Sequence, residues 1–493
     1  MEPKAVFEIF SQINQVPRPS KHEQRISQWL CDFAAAHGID YVQDEAMNVI
    51  MRVPATAGYE AHEGVILQAH MDMVCEKNGD VAHDFMNDPI QTWVDGDWLK
   101  AKGTTLGADN GIGIAMALAA ITDENLPHPA MECLFTVDEE TGLTGAMKLQ
   151  DGMLRSKRLI NLDSEDDGQI FIGCAGGIDT LAKMHYEPSD RSDLHQPSAI
   201  AIRLSVTGLL GGHSGDDINK GRANANQLIV WFLARIWPQT ELQLARIEGG
   251  NLRNAIAREA EAVVVIPMAY KEQIRIEWNH FVAQMENVFG EVEKEMRMDL
   301  ETTDMPEAVI PAEKAYRLIM ALCECPHGMV AMSKDMPGLV ETSTNLASIK
   351  MKRSISETVY QSEGRSYFIE INTSQRSSIE ASKHHLKWAV EQALSMACDE
   401  VTHGDGYPGW APNPNSALLE VVKKAYVDLY KDEPKVLAIH AGLECGLFLE
   451  KYPYLDMVSI GPQMYGVHSP QERLSISSTE RCYRWLCATL KAL

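Results

Sequence analysis

Positive charge is scarce in this chain: 44 lysines and arginines stand against 69 aspartates and glutamates, for a formal net charge of −25. Nucleic acid and anionic membrane surfaces both require a basic face, so neither is expected as a partner. Long apolar runs are missing too. The most apolar stretch, Ile112 to Ile121, is too short to cross a bilayer and reads as a buried helix. The N-terminal segment, with Glu2 and Glu8, lacks the apolar core of a signal peptide, so a cytoplasmic location is expected. Ten cysteines in 493 residues are too dilute for a disulfide framework. Cys31, Cys75, Cys133, Cys174, Cys398 and Cys445 are scattered, mostly in apolar contexts that suit small core residues. The pairs Cys323/Cys325 and Cys482/Cys487 do not have structural-zinc spacing, and a reducing compartment fits best.

Several catalytic signatures are absent as well. There is no His-Glu-x-x-His helix, no Gly-x-x-x-x-Gly-Lys-Ser/Thr loop and no Gly-x-Ser-x-Gly elbow. Gly211-Gly-His-Ser-Gly215 has the wrong spacing for the last of these. Gly404-Asp-Gly-Tyr-Pro-Gly409 matches Gly-x-Gly-x-x-Gly, but Pro408, Pro412 and Pro414 prevent a helix from opening there, so it reads as a turn. Internal repeats and low-complexity tracts are also lacking.

What is present is an alternation of helix and strand patterns. The chain exceeds the length at which one hydrophobic core stops growing, so two domains are expected. Pro3 to Ile13 reads as a helix, and Ser20-Lys-His-Glu23 as a capping box opening a second helix that ends near Gly38. Val65 to Ala69, Cys133 to Val137 and Arg158 to Leu162 are short apolar runs of the kind found in buried parallel strands, with a helical pattern from Asn110 to Ile121. The pattern predicts an α/β domain with a mostly parallel sheet and helices on both faces. From Glu187 to Pro197 the chain turns polar, as in a linker or long hairpin loop. Beyond it come strands at Ala199–Val206, Ala262–Pro267 and Tyr367–Asn372, and long helices at Tyr270–Met296 and Ser382–Glu400. Buried-strand patterns return at Val436–Ile439 and Met457–Ile460. The economical organisation is an α/β domain built from 1–183 and 403–493, with an α+β domain, 184–402, inserted in it.

Chemistry gathers at the strand ends. His70-Met-Asp72 follows an apolar run, and alternation puts both side chains on one side, where Asp72 can accept the second ring N–H of a metal-bound His70. Gly107-Ala-Asp109-Asn-Gly111 precedes a helix; taken alone, Asp109 reads as an N-cap. Asp138-Glu139-Glu140 follows another strand, where consecutive carboxylates repel one another unless cations neutralise them. Asn161-Leu-Asp163 ends a third strand, and Gly466-Val-His468-Ser-Pro470 follows a late one. Singly, each is compatible with a capped strand end or a solvated turn. Together, two histidines and three carboxylates suit a divalent ion such as zinc.

This ordered set, with Gly211-Gly-His213-Ser-Gly215, resembles the di-zinc aminoacylase/carboxypeptidase superfamily, and within it the aminoacyl-histidine dipeptidase branch. The resemblance runs over essentially the whole chain. It implies two zinc ions per subunit, with cobalt or manganese as substitutes. It also implies that Asp109 bridges them, with His70 and Asp163 at one ion and Glu140 and His468 at the other. Asp72 would orient His70, and Glu139 would be the general base. The inserted domain would be a lid that forms a homodimer, and its His213 would reach the neighbouring subunit's active site. Arg376 would bind the free carboxylate of a dipeptide, with Asn254 and Gly442 assisting. Many relatives carry Glu where Asp163 stands, but this branch uses Asp. An aminotripeptidase or N-acyl-amino-acid deacylase on the same scaffold is the hydrolytic alternative. A non-catalytic metal-binding protein is the remote one, disfavoured because a storage site needs no extra acid such as Glu139.

Overall fold

The computed structural model describes residues 1–190, 198–355 and 365–493, so the polar segment at 187–197 lies partly outside the described residues. The chain forms two compact units. The first comprises Met1–Cys174, Trp410–Ala438 and Leu443–Leu493, and the second Ala175–Gly409 with Ile439–Gly442.

The first unit is built on an eight-stranded sheet. At its centre Met131–Thr136, Val65–His70, Arg158–Asn161 and Asp456–Ser459 run parallel, in that order. Antiparallel strands flank them, Val49–Val53 on one side and Gln169–Cys174 on the other. The central strands are buried and apolar because both faces are covered, as sequence runs without alternation require. The helix Ala108–Ile121 is buried along almost its whole length, which fits its apolar residues on every side. Helices Lys4–Ile13 and Gln24–Ala36 form where expected, but the capping box does not. Ser20 Oγ instead donates to Asp72 at 2.8 Å, and Glu23 accepts the Lys21 N–H at 2.7 Å.

The second unit carries an antiparallel sheet whose long central pair is Val340–Ile355 and Arg365–Ser377. Ile202, Leu204, Val264 and Ile371 share one core with Leu228 and Phe232 of helix Ala225–Ile236, Trp278 of Lys271–Phe289, Leu318 of Ala312–Glu324 and Val390 of Glu380–Ser395. Two helices stop earlier than the periodicity suggests, at Phe289 before Gly290 and at Ser395 before the strand Glu400–His403. The chain passes between units at 174/175 and 409/410 where the sequence pattern placed 183/184 and 402/403. The reason is register: Gly176–Tyr186 pairs along its length with Arg365–Ser377, and so belongs to the second sheet from its first residue. Among the described residues no disulfide joins the cysteines. Among the described residues no helix is long and apolar enough to cross a membrane.

Candidate active site

The parallel strands of the first unit end level with one another. His70 is in register with Thr136, and Gln68 with Asn161, so the residues following each strand emerge at a common carboxyl edge. His70 closes its strand and is fully buried. Its Nδ1 lies 3.2 Å from Asp72 Oδ1, and its Nε2 lies 3.0 Å from Asp109 Oδ1 and 3.3 Å from Asp163 Oδ1. On the other side of Asp109, Oδ2 lies 3.0 Å from His468 Nε2, which in turn is 3.0 Å from Glu140 Oε2. The five side chains thus form two trios that share one carboxylate. His70, Asp109 and Glu140 also offer ligand atoms within 4.8 Å of one another.

These spacings fit cations. Ligand atoms in a tetrahedral zinc shell with bonds of about 2.1 Å stand about 3.4 Å apart, slightly more than the gaps seen here. The electrostatics agree. Burial pushes the Asp163 carboxyl up to about 6, with Asp109 and Glu140 adding to it against the pull of His70. Although burial opposes it, hydrogen bonds to His468 and His70 hold Asp109 well below the usual carboxylate range. Contacts with Asp109 and Glu140 raise His468 to about 11. Bound positive charge would stabilise so much negative charge out of water.

Asp109 is not the helix cap that its position suggested. The N-cap of Ala108–Ile121 is Gly107, in left-handed conformation, and no side chain of the cap makes the bond. Asp109 has non-helical φ and ψ, which turn its carboxylate toward the histidines. His468 is likewise in the left-handed region at φ 61°, a conformation unusual for a non-glycine residue.

Asp72 works twice. Beyond His70 it accepts the backbone N–H groups of Glu139 at 3.0 Å and Glu140 at 3.3 Å. It therefore fixes the His70 imidazole and the backbone of the two acidic residues together. The Glu139 side chain stands half-buried among Asp163, Glu444 and Glu140; burial first, then these carboxylates, raise it well above the usual range despite His70. A second acidic group, Glu23, Asp72 and Asp138, is buried and close enough to hold an ion. Its oxygens are already engaged: Asp138 accepts the hydroxyls of Thr141 and Thr144, and Glu23 accepts the Asp138 N–H at 3.0 Å.

Three residues near the site carried no signal in the sequence. Arg18 and Glu472, both buried, hold the segment before Asp109. Glu444, without exposure, accepts from Gln68 Nε2 at 2.6 Å and Thr136 Oγ1 at 2.7 Å, and burial pushes it up to about 8. Their partners lie far along the chain, and no spacing rule reaches that distance.

The remaining candidates gather within the second unit. Arg376, buried in its strand, donates to Tyr407 Oη at 3.1 Å and to Ser214 Oγ at 3.4 Å. Gly442 is packed against the Tyr407 ring, where an added Cβ would come within 2.7 Å of it. Asn254 accepts the Ser214 N–H through its carbonyl at 2.9 Å, beside a bridge between His213 and Ala255. His213 Nδ1 lies 3.3 Å from the backbone nitrogens of Gly215 and Asp216 and 3.3 Å from Asp216 Oδ2. His440 was not anticipated. Its Nε2 lies 2.7 Å from Ser343 Oγ, and burial, with Arg376 adding, holds it down to about 4.

Residues 66–492 match the model of peptidase family M20/M25/M40. The chain is 38% identical to the cytosol non-specific dipeptidase of Escherichia coli, over 100% of this chain and 98% of that one. The crystal structure of aminoacylhistidine dipeptidase from Vibrio alginolyticus superposes with a TM-score of 0.91 at 37% identity, covering 100% of this chain and 97% of that one. Aminopeptidase PepT from Bacillus cereus shares the fold, with a TM-score of 0.61 at 16% identity and 99% and 98% coverage.

Proposed function

The chain belongs to peptidase family M20/M25/M40, and on that footing we propose that it is a di-zinc dipeptidase acting on unblocked dipeptides, carnosine-like Xaa-His substrates among them. The observation that carries this reading is the pair of ligand trios sharing Asp109. His70, Asp163 and Asp109 would hold one ion, and Glu140, His468 and Asp109 the other. Zinc suits imidazole and carboxylate donors, and cobalt or manganese would substitute. When bound, two such ions supply an acidified water and a Lewis acid for the scissile carbonyl.

Glu139 is then the base. Its raised proton affinity and its place beside the ligands suit a group that takes the proton of the attacking water and passes it to the leaving amine. Asp72 keeps His70 in the tautomer that presents Nε2. His213 would donate to the carbonyl oxygen as charge develops there, an effect worth on the order of 3 kcal/mol. Arg376, beside Tyr407 and Gly442, would pair with the substrate's terminal carboxylate, limiting turnover to short peptides. Asn254, next to His213, would assist.

The reading requires residues of the second unit to meet the metal ligands of the first, in the same chain or in a second copy. We assign the second unit the role of lid and homodimer contact on that basis. The name of the Escherichia coli relative supports a cytosolic location.

The test is a substrate panel of simple dipeptides, carnosine, tripeptides and N-acetylated amino acids, with and without chelator and with zinc, cobalt or manganese restored. Dipeptides should dominate, and chelation should abolish turnover reversibly. Preferred turnover of tripeptides or acetylated amino acids would transfer the assignment to an aminotripeptidase or a deacylase.

A further inference from the structure

The loop that carries His468 continues through Ser469, Pro470 and Gln471 to Glu472, a residue only 2% exposed. Glu472 Oε2 accepts the backbone N–H groups of Leu106 at 2.6 Å and Gly107 at 3.1 Å. Its Oε1 accepts those of Ala108 at 2.8 Å and Asp109 at 3.4 Å. These amides belong to the segment leading into helix Ala108–Ile121, where Asp109 and Asn110 depart from helical φ and ψ. One remote carboxylate thus caps that segment on its amide side.

The opposite side of the same segment is held by Arg18. Its Nη2 donates to the Gly107 carbonyl at 2.5 Å, and its Nη1 to the Asp72 carbonyl at 3.2 Å. The fit is tight, since a Cβ at Gly107 would come within 2.5 Å of Arg18 Nη2, and one at Gly111 within 2.6 Å. Glu472 and Arg18 also attract each other electrostatically. Residues 106–109 are therefore gripped by an anion on their amide side and a cation on their carbonyl side.

The consequence concerns His468, four residues before Glu472 and in a strained backbone conformation. It must meet Asp109, 359 residues away in sequence, at 3.0 Å. We infer that Glu472 is a positioning residue: it locks the loop bearing His468 to the segment bearing Asp109, and so sets the affinity of the ion those two share. It touches neither metal nor substrate. The inference rests on the metal-site reading proposed above. A carboxylate that only capped the helix would affect melting temperature but leave metal affinity unchanged.

The test uses full-length wild type, Glu472→Gln and Glu472→Ala, stripped of metal and titrated with cobalt while visible absorption and dipeptide turnover are followed. A glutamine oxygen can accept from part of the set, but its NH2 faces the remaining amide donors. Expected in Glu472→Gln is a loss of about 10- to 100-fold in affinity for one cobalt, a similar fall in kcat and a KM within about twofold of wild type. Formate should restore cobalt affinity in Glu472→Ala, where the side chain leaves space, and not in Glu472→Gln. Wild-type cobalt affinity and kcat in Glu472→Gln overturn the inference, even if Glu472→Ala fails to fold. A wild type that binds no cobalt overturns the metal-site reading and this inference together.

Discussion

Asp109 turns its two carboxylate oxygens to two different histidines, Oδ1 to His70 Nε2 and Oδ2 to His468 Nε2, each at 3.0 Å. A carboxylate serving a single ion has no need of a second imidazole on its far oxygen. Asp109→Ala should therefore weaken both metal positions. Several kcal/mol of electrostatic stabilisation depend on the ions, so kcat/KM should fall by at least about 100-fold. Elemental analysis after dialysis checks the metal content, and retention of two ions per chain would contradict the shared-ligand assignment.

Glu139 should separate metal binding from chemistry. Glu139→Gln removes the base but no ligand, so metal content stays at the wild-type level while kcat drops by roughly 10²- to 10⁴-fold. Parallel metal analysis and steady-state kinetics decide the point. A variant that turned over at the wild-type rate would place the base elsewhere.

Asp72 supports His70 and the Glu139–Glu140 backbone at once. Asp72→Asn keeps the shape but can no longer accept every one of these bonds. The expected loss is about 10- to 100-fold in metal affinity or kcat, measured by cobalt titration alongside turnover. An unchanged titration would show that His70 is held by other contacts.

Arg376 should act on binding. Hydrogen bonds to charged groups contribute roughly 1.5–3 kcal/mol, so Arg376→Ala should lose about 10- to 100-fold in kcat/KM for dipeptides. Much less should be lost for the corresponding dipeptide amides, which lack the carboxylate. Equal losses on both substrates would mean that Arg376 serves the fold and not the substrate.

Acid should weaken the second unit. Burial holds His327 at about 4, as it does His440 with help from Arg376, where the ordinary imidazole value is 6.5. Both are neutral when folded, and between those values the unfolded chain binds protons that the folded chain does not. Their stability contribution is complete above 6.5 and is lost as the pH falls toward 4. Thermal unfolding of the wild type should drop between about pH 7 and pH 5, and drop less in His327→Gln. Identical pH dependence in the two proteins would contradict this.

Much of the first unit's architecture was legible because its signals are local. A buried parallel strand is a short apolar run, and the polar residues just beyond it mark the sheet edge, so His70, Glu140 and Asp163 stand out in the sequence itself. What was not legible depends on distant pairings. The Ser20 hydroxyl goes to Asp72 instead of capping its own helix, because a buried carboxylate 52 residues away needs donors. Glu472 accepts the Ala108 N–H across 364 residues and holds the segment from which Asp109 faces two histidines. The passage into the second unit comes early because Gly176–Tyr186 finds its partner in the strand Arg365–Ser377. Composition cannot report such pairings.

The most direct test of the account is anomalous scattering at the zinc edge from crystals grown with zinc. The account predicts two peaks about 3.5–4 Å apart, one on either side of the Asp109 carboxylate, with His70 and Asp163 at one and Glu140 and His468 at the other. A single peak, or two peaks that do not share Asp109, would contradict it.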